Sequence, residues 1–397
     1  MGIKKTAGAV WIIMALFAMS TANVSAGEAN IHLPPLHDVS FFGGSLSGLT
    51  ILYTGLAICV LGALFGFFQY KQTVALPVHK AMADVSNIIW ETCKTYLLQQ
   101  GKFLVGLWIL IAACMTYYFA GLQNNSFGNV LVILLCSVLG IMGTGLVACF
   151  GIRINTIANS RSAFSALRGD PLKTLFIPLR AGMSIGLLLV CVELFCMICI
   201  LAFVPPDLAG PCFIGFAIGE SLGAAALRIC GGIFTKIADI GADLMKIVFN
   251  LPEDDPKNPG VIADCTGDNA GDSIGPTADG FETYGVTTVA LIAFLALALA
   301  ASPALGGKLI IWLFAIQSLM VLASLFSFII NKFISTARYA GKKDFNAEGP
   351  LTELVWTTSV VSIIVVFIAS KLLLFPLVKQ NILLCPRRHK NVFSSST

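Results

Sequence analysis

Charge is what this 397-residue chain has least of: Asp, Glu, Lys and Arg make up 12% of it, against 57% hydrophobic residues. A soluble domain carries about 25% charged residues, and a mean hydropathy of +0.86 lies outside that class. The net charge is only +4 and is spread over loops, which leaves no electrostatic footprint for nucleic acid. The 12 cysteines form no paired CxxC framework, and most, such as Cys191, Cys196 and Cys199, sit inside apolar runs. They read as small packing residues rather than disulfides or zinc ligands. Segments 122–128 and 205–211 lack Lys and Arg altogether.

What the chain has is apolar runs of about 20 residues, the length that crosses a hydrocarbon core of ~30 Å. The spans fall at about 49–69, 103–121, 129–151, 182–204, 212–237, 273–302, 309–331 and 350–375. The expected fold is therefore an all-α polytopic membrane protein with about eight transmembrane helices in a lipid bilayer. Ahead of them, MGIKKTAGAVWIIMALFAMSTANVSAGE has two lysines, a short apolar stretch and Val24-Ser25-Ala26. That pattern is expected of a secretory signal peptide over 1–26, with an uncleaved first helix as the alternative.

A cleaved signal would leave the new N-terminus outside. Loop 70–102, with Lys71, Lys80, Lys94 and Lys102, then becomes cytoplasmic. So do loop 152–181, with Arg153, Arg161, Arg168, Lys173 and Arg180, and loop 332–349, with Lys332, Arg338, Lys342 and Lys343. The segments without Lys or Arg fall outside, so the positive-inside rule is obeyed. Helices over 27–204 precede a charged pair over 205–302, and two further spans over 303–375 come after it. The tail 376–397 puts Lys379, Arg387, Arg388 and Lys390 on the wrong side, as expected of a truncation or frameshift.

The scarce charge is concentrated in two helices. In GESLGAAALRICGGIFTKIADIGADLMKIVFN (219–250), Arg228, Lys236, Asp239, Asp243 and Lys246 fall within an arc of about 80° at 100° per residue. Glu220 lies a further ~80° round and deeper in the membrane. Surface ion pairs would explain such a face in water; in or beside a bilayer such residues are costly unless paired or functional.

The second helix carries DCTGDNAGDSIGPTADGFE (264–282). On a continuous α-helix, Asp264, Asp268, Asp272, Asp279 and Glu282 share one arc of about 80°. Like charges at i, i+4 repel, so a cation must neutralise them. Carboxylates without histidine suit Mg²⁺ or Ca²⁺, and the EF-hand spacing is absent. A helix from Pro259 to Ser302 would be roughly 65 Å long, twice the hydrocarbon thickness. Its first half therefore projects into the cytoplasm, with Asp279 and Glu282 at or inside the membrane. With Arg228 and Lys236 opposite, the set fits a phosphate-type substrate bound through Mg²⁺. Between the helices, Glu253-Asp254-Asp255-Pro256-Lys257-Asn258-Pro259 is an acidic turn and a third source of metal ligands.

GGIFTKIADIGADL (231–244), PEDDPKNPGVIADCTGDNAGD (252–272) and TADGFETYG (277–285) resemble the membrane-bound, ion-translocating inorganic pyrophosphatases. About 60 residues carry the likeness strongly. It implies that Lys236 and Arg228 contact pyrophosphate and the cavity below it, with Lys246 in support. It implies that Asp239, Asp243, Glu253, Asp254, Asp264 and Asp268 hold Mg²⁺. Asp272, with Lys236 and Asp268, would be catalytic; Asp272 resembles an aspartate that positions and deprotonates the attacking water. Asp279 and Glu282 resemble the ion gate. Glu220, inside the charged helix as in some divergent members, favours H⁺ over Na⁺. The family implies a homodimer in a bacterial inner membrane, with the active site cytoplasmic.

Two departures stand out. MKIVFN comes after GADL where the family commonly has a Lys-x-Glu segment, so Phe249 stands about where that Glu would be. Members have about sixteen helices, so this chain corresponds to half of such a pump. No second acidic ladder occurs beyond residue 290, and Asp344, Glu348 and Glu353 read as a solvated loop. The expected function is that of a pump coupling Mg-pyrophosphate hydrolysis to transport of H⁺, or of Na⁺, with the other half lost or encoded separately, so that alone the chain is not expected to turn over pyrophosphate; an inactive fragment binding Mg-pyrophosphate weakly is the alternative, and an unrelated cation transporter a third.

Overall fold

The computed structural model describes residues 33–379 apart from 35, 37, 38, 253, 254, 256, 257, 259 and 343–345. The expected signal segment 1–26 and the tail beyond 379 lie outside the described residues. Eight helices long and apolar enough to cross a bilayer occur among the described residues. They are α1 (Gly48–Val74), α2 (Lys80–Leu122), α3 (Phe127–Ala166), α4 (Pro171–Phe203), α5 (Pro206–Phe249), α6 (Gly260–Ala298), α7 (Pro303–Tyr339) and α8 (Glu348–Lys379). A two-stranded hairpin, Ser40–Phe41 with Leu46–Ser47, precedes them.

Local chemistry sets where the helices begin. α4, α5 and α7 open on prolines, whose missing N–H costs nothing in a first turn. The Ser126 hydroxyl accepts the Asn129 N–H, and the Asp170 carboxylate accepts the Lys173 N–H at 3.1 Å. α5 ends where Asn250 turns left-handed at φ 55°.

The helices outrun the hydropathy spans at one end of the bundle. The loop expected over 70–102 is mostly helix, since α2 starts at Lys80, and that expected over 152–181 shrinks to 167–170. Hydropathy registers only the part of a helix that suits lipid; the backbone stays helical into the polar region, in α4 even through Pro178. Glu348 opens α8, and Glu353, inside it, pairs with Arg338 and accepts the Tyr339 hydroxyl at 3.2 Å, so neither is a solvated loop residue. Asp344 lies outside the described residues.

The core lies between α1, α3, α4, α5, α6 and α7, around Leu194, Met197, Phe213, Phe216, Phe281 and Phe314, all at most 1% exposed. Its tightest crossing joins α3 and α5. A methyl at Gly219 would run into the Ser137 carbonyl, and one at Gly140 into that of Phe216. Small residues let the backbones touch, as packing in a bilayer favours.

Candidate functional site

α5 and α6 run antiparallel, and glycines make their seam close. A Cβ at Gly267 would lie 2.9 Å from Thr235 Cα, one at Gly271 2.6 Å from Thr235 Oγ1, and one at Gly260 2.9 Å from Ala242 Cα. Thr235 also donates to the Gly267 carbonyl at 2.7 Å. Four of the five seam residues immediately precede a charged one: Thr235 before Lys236, Ala242 before Asp243, Gly267 before Asp268, Gly271 before Asp272; the fifth, Gly260, opens the helix ahead of Val261. One residue is a turn of about 100°. Because the helices are antiparallel, an equal step round each brings these side chains to the same side of the seam.

The face so formed is open. Lys236, Lys246, Asp268 and Asp272 are exposed, while Asp239, Asp243 and Asp264 are half-buried. Lys236 Nζ lies 3.3 Å from Asp239 Oδ2. Among the described residues no group of three or more His, Cys, Asp or Glu converges as a metal cluster. The two proposed ligands of the acidic turn, Glu253 and Asp254, lie outside the described residues. The donors that remain are all carboxylates, a hard oxygen set whose chemistry fits Mg²⁺.

Asn258, which sequence reasoning passed over, fastens the turn. Only 2% exposed, it donates to the Ala242 carbonyl at 3.2 Å and accepts the Gly260 N–H at 2.9 Å. Its signal was legible: Asn two residues before a helix is a strong cap.

The single acidic stripe is corrected by a π-turn at Gly275–Asp279. Pro276 has no N–H to give the Asp272 carbonyl, and the extra residue sets the rest of the helix back by about 100°. Asp279 and Glu282 therefore leave the stripe of Asp264, Asp268 and Asp272 and meet Arg228. Arg228 pairs with Asp279 and lies 3.7 Å from Glu282. Arg228 sits eight residues before Lys236 on α5, about 12 Å along the axis. A charged face thus stands above a carboxylate–guanidinium cluster.

Deeper still, Glu220 is 0% exposed, and so is Glu193 of α4. A methyl at Gly285 would collide with Glu193 Oε1 and both Glu220 oxygens, so the carboxyls face each other across a gap narrower than a methyl group. Sequence reasoning missed Glu193. Its signal was a lone carboxylate in an apolar span.

A family model described as inorganic H⁺ pyrophosphatase matches residues 60–392 of the chain that builds this geometry. The chain is 59% identical over 320 residues to a K⁺-insensitive pyrophosphate-energized proton pump of Chlorobaculum tepidum, covering 81% of this chain and 42% of the relative. It is 35% identical over 225 residues to the pump of that description in Pyrobaculum aerophilum, covering 55% and 30% respectively. It is 31% identical over 240 residues to a putative K⁺-stimulated pyrophosphate-energized sodium pump of Clostridium tetani, covering 59% and 33%. The chain thus spans less than half the length of these curated relatives.

Proposed function

Because the chain belongs to the inorganic H⁺ pyrophosphatase family and is an integral membrane protein, we propose that it supplies one half of a pyrophosphate-energised proton pump. The observation that carries this reading is the vertical order along α5 and α6: an open Lys/Asp face, then Arg228 tied to Asp279 and Glu282. Such an order lets one end bind phosphate and the other pass an ion.

Lys236 and Lys246 bring positive charge to pyrophosphate oxygens, with Arg228 below them. Asp239, Asp243, Asp264 and Asp268, with Glu253 and Asp254, would hold Mg²⁺. When bound, Mg²⁺ would neutralise phosphate charge and act there as a Lewis acid. Asp272 orients a water and takes its proton as the oxygen attacks phosphorus in line. One phosphate leaves, and no phosphoenzyme forms. The site faces the cytoplasm, the membrane is a bacterial inner membrane, and the working unit is a homodimer of the whole pump.

H⁺ is the preferred ion. Glu193 and Glu220 are buried together, and among the described residues no basic side chain is bonded to them; protonation meets that need with nothing else bound. The open face supports a second statement: alone, the chain binds Mg-pyrophosphate without turning it over.

The test uses vesicles containing the chain alone, and others with the chain fused to the remaining length of the Chlorobaculum relative. Mg²⁺-dependent phosphate release and lumen acidification are expected only from the fusion. Asp272→Asn should lower release by about 10²–10⁴-fold. Full turnover in that variant would remove Asp272 from the water-positioning role, and labelled-sodium uptake in place of acidification would overturn the choice of ion.

A further inference from the structure

We propose that Glu193 and Glu220 form one proton-sharing site, with Glu193 the station that takes the proton from Glu220 and passes it toward the outer ends of α4 and α5. This rests on the pump reading and adds to it a residue that lies on neither charged helix.

Burial sets the constraint. Both side chains are 0% exposed, and among the described residues no group outside the pair hydrogen-bonds any of the four carboxylate oxygens. Two carboxylates in one apolar space cannot both stay ionised: each loses its hydration and each repels the other. A proton between them removes both penalties at once, as in other paired carboxylates. Among the described residues, the titratable groups on or next to the pair come from α1, α3, α4 and α6, with Cys59 of α1 and Cys191 of α4 beside Tyr284. α6 contributes Glu282 and Tyr284, α4 contributes Cys196, and Cys136 of α3 stands beyond Cys196. None is basic. Arg228, the nearest cation along α5, is about 12 Å away and already bonded to Asp279 and Glu282.

Position gives the direction. Glu220 lies fourteen residues from Pro206, about 21 Å along α5, and Glu193 ten residues from Phe203, about 15 Å along α4. The two ends are joined by residues 204–205, so Glu193 is the nearer of the pair to that end. Glu282 faces Glu220 from the Arg228 side. In the transfer, the O–H bond at Glu220 breaks as one forms at Glu193, and the pair keeps a single negative charge throughout.

Infrared titration of the full chain in lipid bilayers tests this without any turnover. The wild type should show a protonated-carboxyl band. Glu193→Gln and Glu220→Gln should each change its frequency and displace its midpoint by at least about one pH unit. The double variant should lose the band. Gly285→Ala, whose methyl must part the two groups, should perturb it as well. Circular dichroism reports folding, and if Glu193→Gln fails to fold, Glu193→Asp, one methylene shorter, should shift the band instead. A band unmoved by a folded Glu193 variant, or retained in the double variant, overturns the proposal. Coupled titration with no pyrophosphate hydrolysis by the fusion would sink the pump reading and leave the pair standing; hydrolysis without coupling would do the reverse.

Discussion

Gly219→Ala is the sharpest test of how this bundle is held. Its methyl would overlap the Ser137 carbonyl of α3, and an ordinary carbon–oxygen contact needs about 3.3 Å. One turn earlier, a Cβ at Gly215 would already stand 2.6 Å from the Ile133 carbonyl. Both obstacles are backbone, so no rotamer change relieves them, and α3 must move off α5 by about 1 Å. A gap of that size forfeits a quarter to a half of the dispersion energy of the contacts it opens. Phe213, Phe216, Ile133 and Cys136 line that interface, each at most 5% exposed. Overpacking costs about 1–3 kcal/mol where side chains can adjust. Here the cost lies at or above the top of that range, offset by about 1 kcal/mol from replacing a helical glycine with alanine. The net expectation is a loss of about 2–3 kcal/mol. Gly145→Ala is the control, on α3 with nothing within 4 Å of its added methyl; it should be neutral or stabilising by up to ~1 kcal/mol. Reversible denaturation in mixed micelles, monitored by helicity, reads both. A Gly219→Ala midpoint equal to or above that of Gly145→Ala would refute the close crossing.

Asn258→Ala should free the acidic turn from α5 at a cost of about 1–2 kcal/mol, seen as faster proteolysis within 250–259 and unchanged protection of α3; an unaltered cleavage rate would mean the turn is held by other contacts. At the start of α4, the ion pair and hydrogen bond from Lys173 hold the Asp170 carboxyl below the usual carboxylate range. A depressed folded value stabilises above the unfolded pKa of about 3.9 and is lost as pH falls through the folded one. Protection of the Lys173 amide should therefore drop in acid in the wild type, and in Asp170→Asn, which caps without titrating, it should stay level.

How much was legible in the sequence can be judged residue by residue. The seam that places Lys236, Asp243, Asp268 and Asp272 on one side was half visible. The wheel found the charged arcs, but the small residues one step before each charge read as filler until the two backbones were seen to touch. Arg228 was placed near the substrate and the cavity beneath; its bonds to Asp279 and Glu282 depend on the π-turn, for which Pro276 was the only sign in the sequence. Glu353 read as loop because charge near a span end looks the same whether the backbone there is helical or not.

Hydropathy alone determined that the chain is a bundle of about eight spanning helices, because transfer into lipid depends on local composition. Helical periodicity alone determined that the rare charges lie on one face of each of two helices, because neighbours at 3.6 residues per turn are set by chain geometry. Which faces meet is a long-range matter. The crossing of α3 and α5 at Gly140 and Gly219, the meeting of Arg228 with Asp279 and Glu282, and the pairing of Glu193 with Glu220 across Gly285 join residues far apart in the chain. Only packing, with backbones close enough to exclude a methyl group, brought them together.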